Sequence, residues 1–202
     1  MMKTRVALIF FLLTFASSSF SQQRTYAIEV AGVQVGKMTA NRTNASSGQH
    51  QYELTSKVRV NLLVFVLEVG YQVNSLFLGK QPYLVKSMVQ AKTNKGTFNT
   101  STELIREFIY QIDSEQPKKQ ITKQETGKID WTVSRLFFEE PISQKRIYAE
   151  YYADFLQIIP LGGGKYKSIL GKNEDIYLYK KGELVQITKK NPLKDFKIFL
   201  QN

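Results

Sequence analysis

The chain has no cysteine in 202 residues, so disulfides, thiolate nucleophiles and thiolate metal sites are all excluded. Histidine is nearly as scarce. His50 is the single copy, which rules out any metal site built on two histidines. His50 adjoins a glycine turn, and no serine or carboxylate at a recognisable spacing would orient it as a general base. Hard cations need clustered carboxylates, and Glu139-Glu140 is one adjacent acidic pair, at the expected helix end. Neighbouring side chains diverge at a helix end, so this pair reads as a solvated cap and not as an acid/base couple. No catalytic residue, metal or cofactor is expected.

Phosphate loops are absent as well. The stretch "IIPLGGGKYKSIL" offers Gly162-Gly163-Gly164 before Lys165, but a phosphate loop needs G-x-x-x-x-G-K-[ST]. Ile159 stands where the first glycine belongs and Tyr166 where the hydroxyl belongs. The dinucleotide pattern fails too, since no third glycine follows. A hairpin turn is the expected role. The sequons at Asn41, Asn44 and Asn99 are read as chance.

Long apolar runs are also lacking. The one candidate, Val6 to Phe15, is about half the ~20 residues a spanning helix requires. Lys3 and Arg5 precede it, and Ser17, Ser18, Ser19 and Ser21 follow. That order describes a secretory signal peptide over residues 1–21, cleaved after Ser21. Residues 22–202 are then expected to form a single β-rich domain, exported to the periplasm or beyond. No cysteine follows the run to take a lipid anchor.

Acid is in deficit. Of the 28 Lys and Arg, only Lys3 and Arg5 precede the cleavage point, and all 17 acids follow it, so the remainder carries +9. In an exported protein this favours lipid headgroups, acidic glycans or an acidic protein over nucleic acid as partners. The charges are dispersed, as on an ordinary solvated surface, and their densest pairs (Lys118-Lys119, Lys180-Lys181, Lys189-Lys190) lie beside turn residues.

What is present is period-two alternation. In "FVLEVGYQVNSLF", Phe65, Leu67, Val69, Tyr71, Val73 and Phe77 share one face, with Ser75 the exception. The preceding "YELTSKVRV" alternates likewise, with a bend expected around Asn61. Glycine turns at Ala31-Gly32, Ser47-Gly48, Asn94-Lys95-Gly96 and Lys181-Gly182 separate further blocks, as in an antiparallel meander. "TYAIEV" and "DIYLYK" are too short for strands of a membrane barrel, and lysines interrupt most of the others. One segment keeps helical spacing: Ile129, Val133, Leu136 and Phe137 form a stripe. With Asp130 as cap and Pro141 as stop, a helix over 130–139 is predicted. Tyrosines crowd residues 148–179 among lysines and arginines. That is a possible surface for a glycan or lipid headgroup, though strands are rich in tyrosine anyway.

Four segments, "YAIEVAGVQVGKMTA", "YELTSKVRVNLLVFVLEVGYQVNSLF", "IDWTVSRLFFEEP" and "RIYAEYYADFLQIIPLGGGKYKS…IYLYKKGELVQI", resemble an uncharacterised family of exported Gram-negative proteins, a domain of unknown function. The resemblance implies an all-β fold: an antiparallel, strongly curved sheet or open barrel with one short helix. That shape is similar to periplasmic lipoprotein carriers, whose concave sheets hold acyl chains. No catalytic residues come with it. The expectation is a binding protein of the cell envelope, with an apolar or lipid-like ligand inside the sheet. Phe65, Leu67, Val69, Tyr71 and Trp131 are the candidate linings, and lysines at the mouth would meet an acidic headgroup. For any one of these five, a place in a closed core is the competing expectation. The rival function is protein–protein docking through a sheet edge or the basic face, and a hydrolase using His50 is the remaining alternative.

Overall fold

The structure, a computed structural model, describes residues 20–45, 47–62, 65–94, 96–190 and 195–201; for 60–62 and 65–67 the backbone alone is described. The first half of the chain is a run of hairpins. It comprises β1 (Phe20–Val30), β2 (Val33–Asn44), β3 (Gln49–Leu62), β4 (Phe65–Leu78), β5 (Tyr83–Thr93), β6 (Gly96–Arg106), β7 (Ile109–Gln116) and β8 (Lys119–Thr126). A single helical turn, α1 (Val133–Leu136), follows. A second run of hairpins then completes the chain: β9 (Arg146–Ala149), β10 (Asp154–Gly162), β11 (Lys165–Leu170), β12 (Asn173–Lys180), β13 (Glu183–Lys189) and β14 (Phe196–Leu200).

All fourteen strands join one antiparallel sheet in the order β8-β7-β6-β5-β4-β3-β2-β1-β14-β13-β12-β11-β10-β9. The first and last strands pair in its middle, Tyr26 opposite Leu200 and Val30 opposite Phe196. The free edges are β8 and β9, which are neighbours in sequence, so the sheet curls without closing and the link between its edges drops into the hollow. The all-β, curved-sheet expectation holds.

The alternation works as read from the sequence. On β4, Val73, Ser75 and Phe77 are buried while Gln72 is exposed; on β3, Tyr52, Leu54 and Ser56 are buried while Thr55 and Lys57 are exposed. The glycine-marked turns fall where expected. The bend placed at Asn61 falls later, since pairing continues to Leu62 opposite Phe65. Strand lengths were underestimated: β1 runs 11 residues, because "SQQR" extends "TYAIEV" in register with β2. β9, β11, β12 and β14, at 4, 6, 8 and 5 residues, stay short of the ~9–11 of a spanning strand, but in β1 to β6 length does not argue against a membrane barrel. The outward side chains do, because Thr55, Lys57, Gln72, Lys86, Gln90 and Lys92 lie where a bilayer would need an apolar band. Among the described residues no helix is long and apolar enough to cross a membrane.

The link over residues 127–145 carries the plug of the core. Ile129, Leu136, Phe137 and Phe138 are buried, meeting Tyr26, Tyr52, Phe77, Tyr179 and Leu184 from the surrounding strands. Tyrosine hydroxyls hold its backbone. Tyr179 Oη donates to the Leu136 carbonyl at 2.7 Å, and Tyr26 Oη approaches that of Phe137 at 3.3 Å. Arg24 and Arg42 lie over the Phe138 ring, each 5.5 Å from its centroid, with Glu183 and Glu139 as their counter-ions.

These partners explain why the helix is four residues and not the ten predicted over 130–139. The Leu136 carbonyl, which another helical turn would offer to the Glu140 amide, is taken by the Tyr179 hydroxyl, and Pro141 has no N–H for the carbonyl after it. Its start differs too. Asp130 does not cap it; Thr132 occupies the cap position, with its hydroxyl turned to Ser134 Oγ at 2.9 Å. The first amides are taken instead by a carboxylate from across the core, Glu150, which accepts from Val133 N–H at 3.0 Å and Ser134 N–H at 3.2 Å.

Candidate functional site

Alongside the plug, toward the end of the sheet where β12 begins and β13 finishes, the concave face encloses a cavity of about 340 Å³. Strands β1 to β5 and β9 to β14 all contribute to it. Its walls are largely hydrocarbon, with Met38, Leu54, Leu156 and Ile187 from the sheet and Val133 and Phe137 from the plug. The size falls within the ~300–1,000 Å³ of small-molecule pockets, which are likewise apolar with a few polar groups.

The polar groups divide by depth. Inside, Glu150 is 2% exposed. Besides the two α1 amides it accepts a hydrogen bond from Ser75 Oγ at 3.1 Å. Three donors and the positive end of the helical turn stabilise a carboxylate that would otherwise be costly to bury. Ser75, the polar exception on the apolar face of β4, is there to serve it. At the mouth, Tyr152 is 42% exposed, and Lys189 and Asp175 form an ion pair at 2.7 Å. Lys189 is the lysine lining the cavity among the described residues, and Asp175 already engages it.

Tyrosines form one side of the cavity. The Tyr71 and Tyr151 rings lie 6.2 Å apart and Tyr151 and Tyr152 5.0 Å apart, with Phe98 behind Tyr151. Burial pushes the Tyr71 hydroxyl well above the usual tyrosine range, with nearby Glu150 adding to it. Tyr177 is raised by burial first and then by Asp175. Both stay neutral donors under ordinary conditions.

Of the five residues singled out from the sequence, Val69 and Tyr71 line this cavity. The side chains of Phe65 and Leu67 lie outside the described residues. Trp131 is elsewhere: it borders a separate notch near the sheet's edges, with the Arg135 guanidinium stacked 4.3 Å from its ring. It cannot reach the cavity because its segment bridges backbone to β9, Tyr148 N–H donating to the Trp131 carbonyl at 2.9 Å.

The sequence candidates weighed for catalysis or phosphate lie outside the lining of this cavity. His50 lies on β3 with Nδ1 2.9 Å from Asn44 Oδ1, and it does not line the cavity. Glu139 and Glu140 are not a solvated cap. They are half-buried, receiving the hydroxyls of Tyr52 at 2.9 Å and Tyr166 at 2.8 Å. Gly162, Gly163 and Gly164 all adopt positive φ in the β10–β11 turn. A Cβ on Gly164 would collide with the Tyr179 carbonyl, so the third glycine is required by packing. Among the described residues no three His, Asp or Glu side chains gather as a metal ion would need.

Sequence reasoning missed Glu150. Its signal was available, an acid set in the otherwise apolar, aromatic "IYAEYYA", where a buried carboxylate needs donors from elsewhere in the fold.

A model of one protein family matches residues 26–201, from within β1 to beyond β14. The chain belongs to the family described as domain of unknown function DUF6134. The cavity of this DUF6134 chain is thus built almost wholly from family sequence. No curated protein matches it. Among solved structures it is similar to a "beta-barrel-like protein of domain of unknown function DUF1849" from Brucella abortus. The TM-score is 0.52 at 10% identity, over 92% of this chain and 96% of that one, which is a likeness of fold alone.

Proposed function

We propose that this DUF6134 chain is an exported, non-enzymatic binding protein that holds the apolar part of a single-chain amphiphile in the cavity beside the plug. The cavity carries the reading: a mainly apolar hollow of about 340 Å³ inside the sheet, whose charged lining groups among the described residues are Glu150 and, at the mouth, Asp175 and Lys189. Export rests on the charged start, short apolar run and serine exit of residues 1–21, and an envelope location goes with it.

The chemistry of the mouth favours an uncharged head. Sequence alone suggested lysines receiving an acidic group, but Lys189 is engaged by Asp175, and Glu150 repels an anion reaching deeper. Hydroxyl or ester groups suit exposed neighbours such as Tyr152 and Asn173. Docking through a sheet edge is the rival reading. It draws on β8, whose eight residues, polar but for Ile121, pair on one side only in the described sheet.

Titration of delipidated protein with a fluorescent monoacylglycerol, followed by competition with unlabelled monoacylglycerol or with the matching fatty acid, tests the proposal. Saturable binding with the uncharged competitor stronger supports it. Absence of saturable binding to either probe overturns it.

A further inference from the structure

A second concavity, sharing no residue with the first, lies where the two free edges of the sheet approach the plug. It encloses about 260 Å³ between Thr126 at the end of β8 and Arg146 at the start of β9. Lys128, Lys145 and Arg146 all border it, against a single carboxylate, Asp130. None of the three cations has a carboxylate partner among the described residues. Arg135, by contrast, is neutralised by Glu139 at 2.7 Å and stacks on Trp131.

Hydrogen bonds tie the segments around the notch to their neighbours. Gly127 N–H donates to the Phe108 carbonyl at 2.8 Å, Arg135 Nη1 to the Asp130 carbonyl at 2.7 Å, and Ile158 N–H to the Lys145 carbonyl at 2.8 Å. Arg146 packs its guanidinium 3.6 Å from the centre of the Phe155 ring, which orients it while leaving its in-plane N–H groups to donate. Unpaired cations on a dispersed surface are ordinarily just solvated. Three of them converging on one concavity with aromatic walls focus the field there and favour an anion.

A bare ion would leave most of the notch empty. Asp130 and Gln144 offer hydrogen-bonding groups for hydroxyls, and Trp131 offers an aromatic wall of the kind that packs against the C–H face of a sugar ring. We propose that this notch binds a phosphorylated sugar, with phosphate on Lys128, Lys145 and Arg146 and the ring beside Trp131. The same chemistry occurs in free sugar phosphates and in phosphorylated glycolipid headgroups. This assignment does not depend on the apolar cavity.

Trp131 is the only tryptophan in the chain, so its fluorescence reports on the notch directly. Glucose 1-phosphate, inorganic phosphate and glucose are titrated at low salt with parallel calorimetry, alongside vesicles with and without a phosphorylated glycolipid. The expected result is a saturable response to glucose 1-phosphate with Kd below about 1 mM, weaker with phosphate, absent with glucose and diminished by added salt. The exposed-residue variant Lys128→Gln/Lys145→Gln should weaken it by about tenfold or more, a loss of ~1.4 kcal/mol. Stronger retention on glycolipid vesicles than expected from the free sugar phosphate assigns the headgroup as source; no retention assigns the free metabolite. Inorganic phosphate binding as tightly as glucose 1-phosphate would overturn the sugar assignment. Neither heat nor fluorescence change with either phosphate, or a response unaltered in the variant, would overturn the site.

Discussion

Ala91→Leu separates a hollow from a packed core. Ala91 is 3% exposed on β5, opposite Tyr71 on β4 and Phe98 on β6, and it lines the apolar cavity. Leucine adds three carbons directed into that space. Burying them is worth about 0.8 kcal/mol each, or about 2.4 kcal/mol. Fixing the leucine rotamer costs ~0.5–1 kcal/mol, leaving a gain of about 1.5 kcal/mol by these two terms. For a domain of this size each kcal/mol moves Tm by ~2–4 °C, so delipidated Ala91→Leu should melt about 3–6 °C higher than wild type. It should also bind the monoacylglycerol probe more weakly, because its side chain occupies ligand space. Delipidation matters, since bound ligand would raise the wild-type Tm by mass action. Were the same position packed, the added carbons would cost about 1–3 kcal/mol in strain and Tm would fall. A lower Tm together with unchanged probe binding refutes the hollow.

Three further predictions concern the frame of the site. Glu150→Ala should cost about 3 kcal/mol or more in urea unfolding, because it leaves the Val133 and Ser134 amides and Ser75 Oγ without their acceptor; a loss under ~1 kcal/mol would show that water replaces the carboxylate at little cost. Burial pushes the Tyr26 hydroxyl up to about 12, and burial with the Glu140 hydrogen bond does the same for Tyr166. The folded chain thus holds these protons more tightly than the unfolded one. Stability should be intact below about pH 10 and decline as pH rises toward about 12, read by alkaline denaturation with tyrosinate absorbance; tyrosines titrating freely at the ordinary value in folded protein would contradict this. Gly163→Ala should cost only the ~1–2 kcal/mol of left-handed backbone, and Gly164→Ala distinctly more because of the Tyr179 carbonyl; equal thermal shifts would remove the packing argument.

Much of the frame was legible in the sequence because two local signals carry it. Alternation assigned the inner faces of β3 and β4, including Val73 and Phe77, and glycine at positive φ marked the turns at Gly32, Gly48 and Gly182. Non-local contacts were not legible. The helical stripe from Ile129 to Phe137 identified the plug, but the helix's length depends on Tyr179 capturing the Leu136 carbonyl from a distant strand. Ser75 looked like an anomaly until the fold set it 3.1 Å from Glu150. Trp131 is among the expected linings, but periodicity cannot say which side of the plug meets the hollow. The same limit applies to the cavity itself, because alternation assigns a face to the interior without saying whether that interior is filled.

Organic extraction and mass spectrometry of the protein purified from its own host without detergent address the central claim most directly. The account predicts a near-stoichiometric, uncharged single-chain amphiphile on wild-type protein and a marked depletion of it on Ala91→Leu. Protein that carries no amphiphile, or that carries it equally in both forms, would contradict the proposal that this cavity is a binding site.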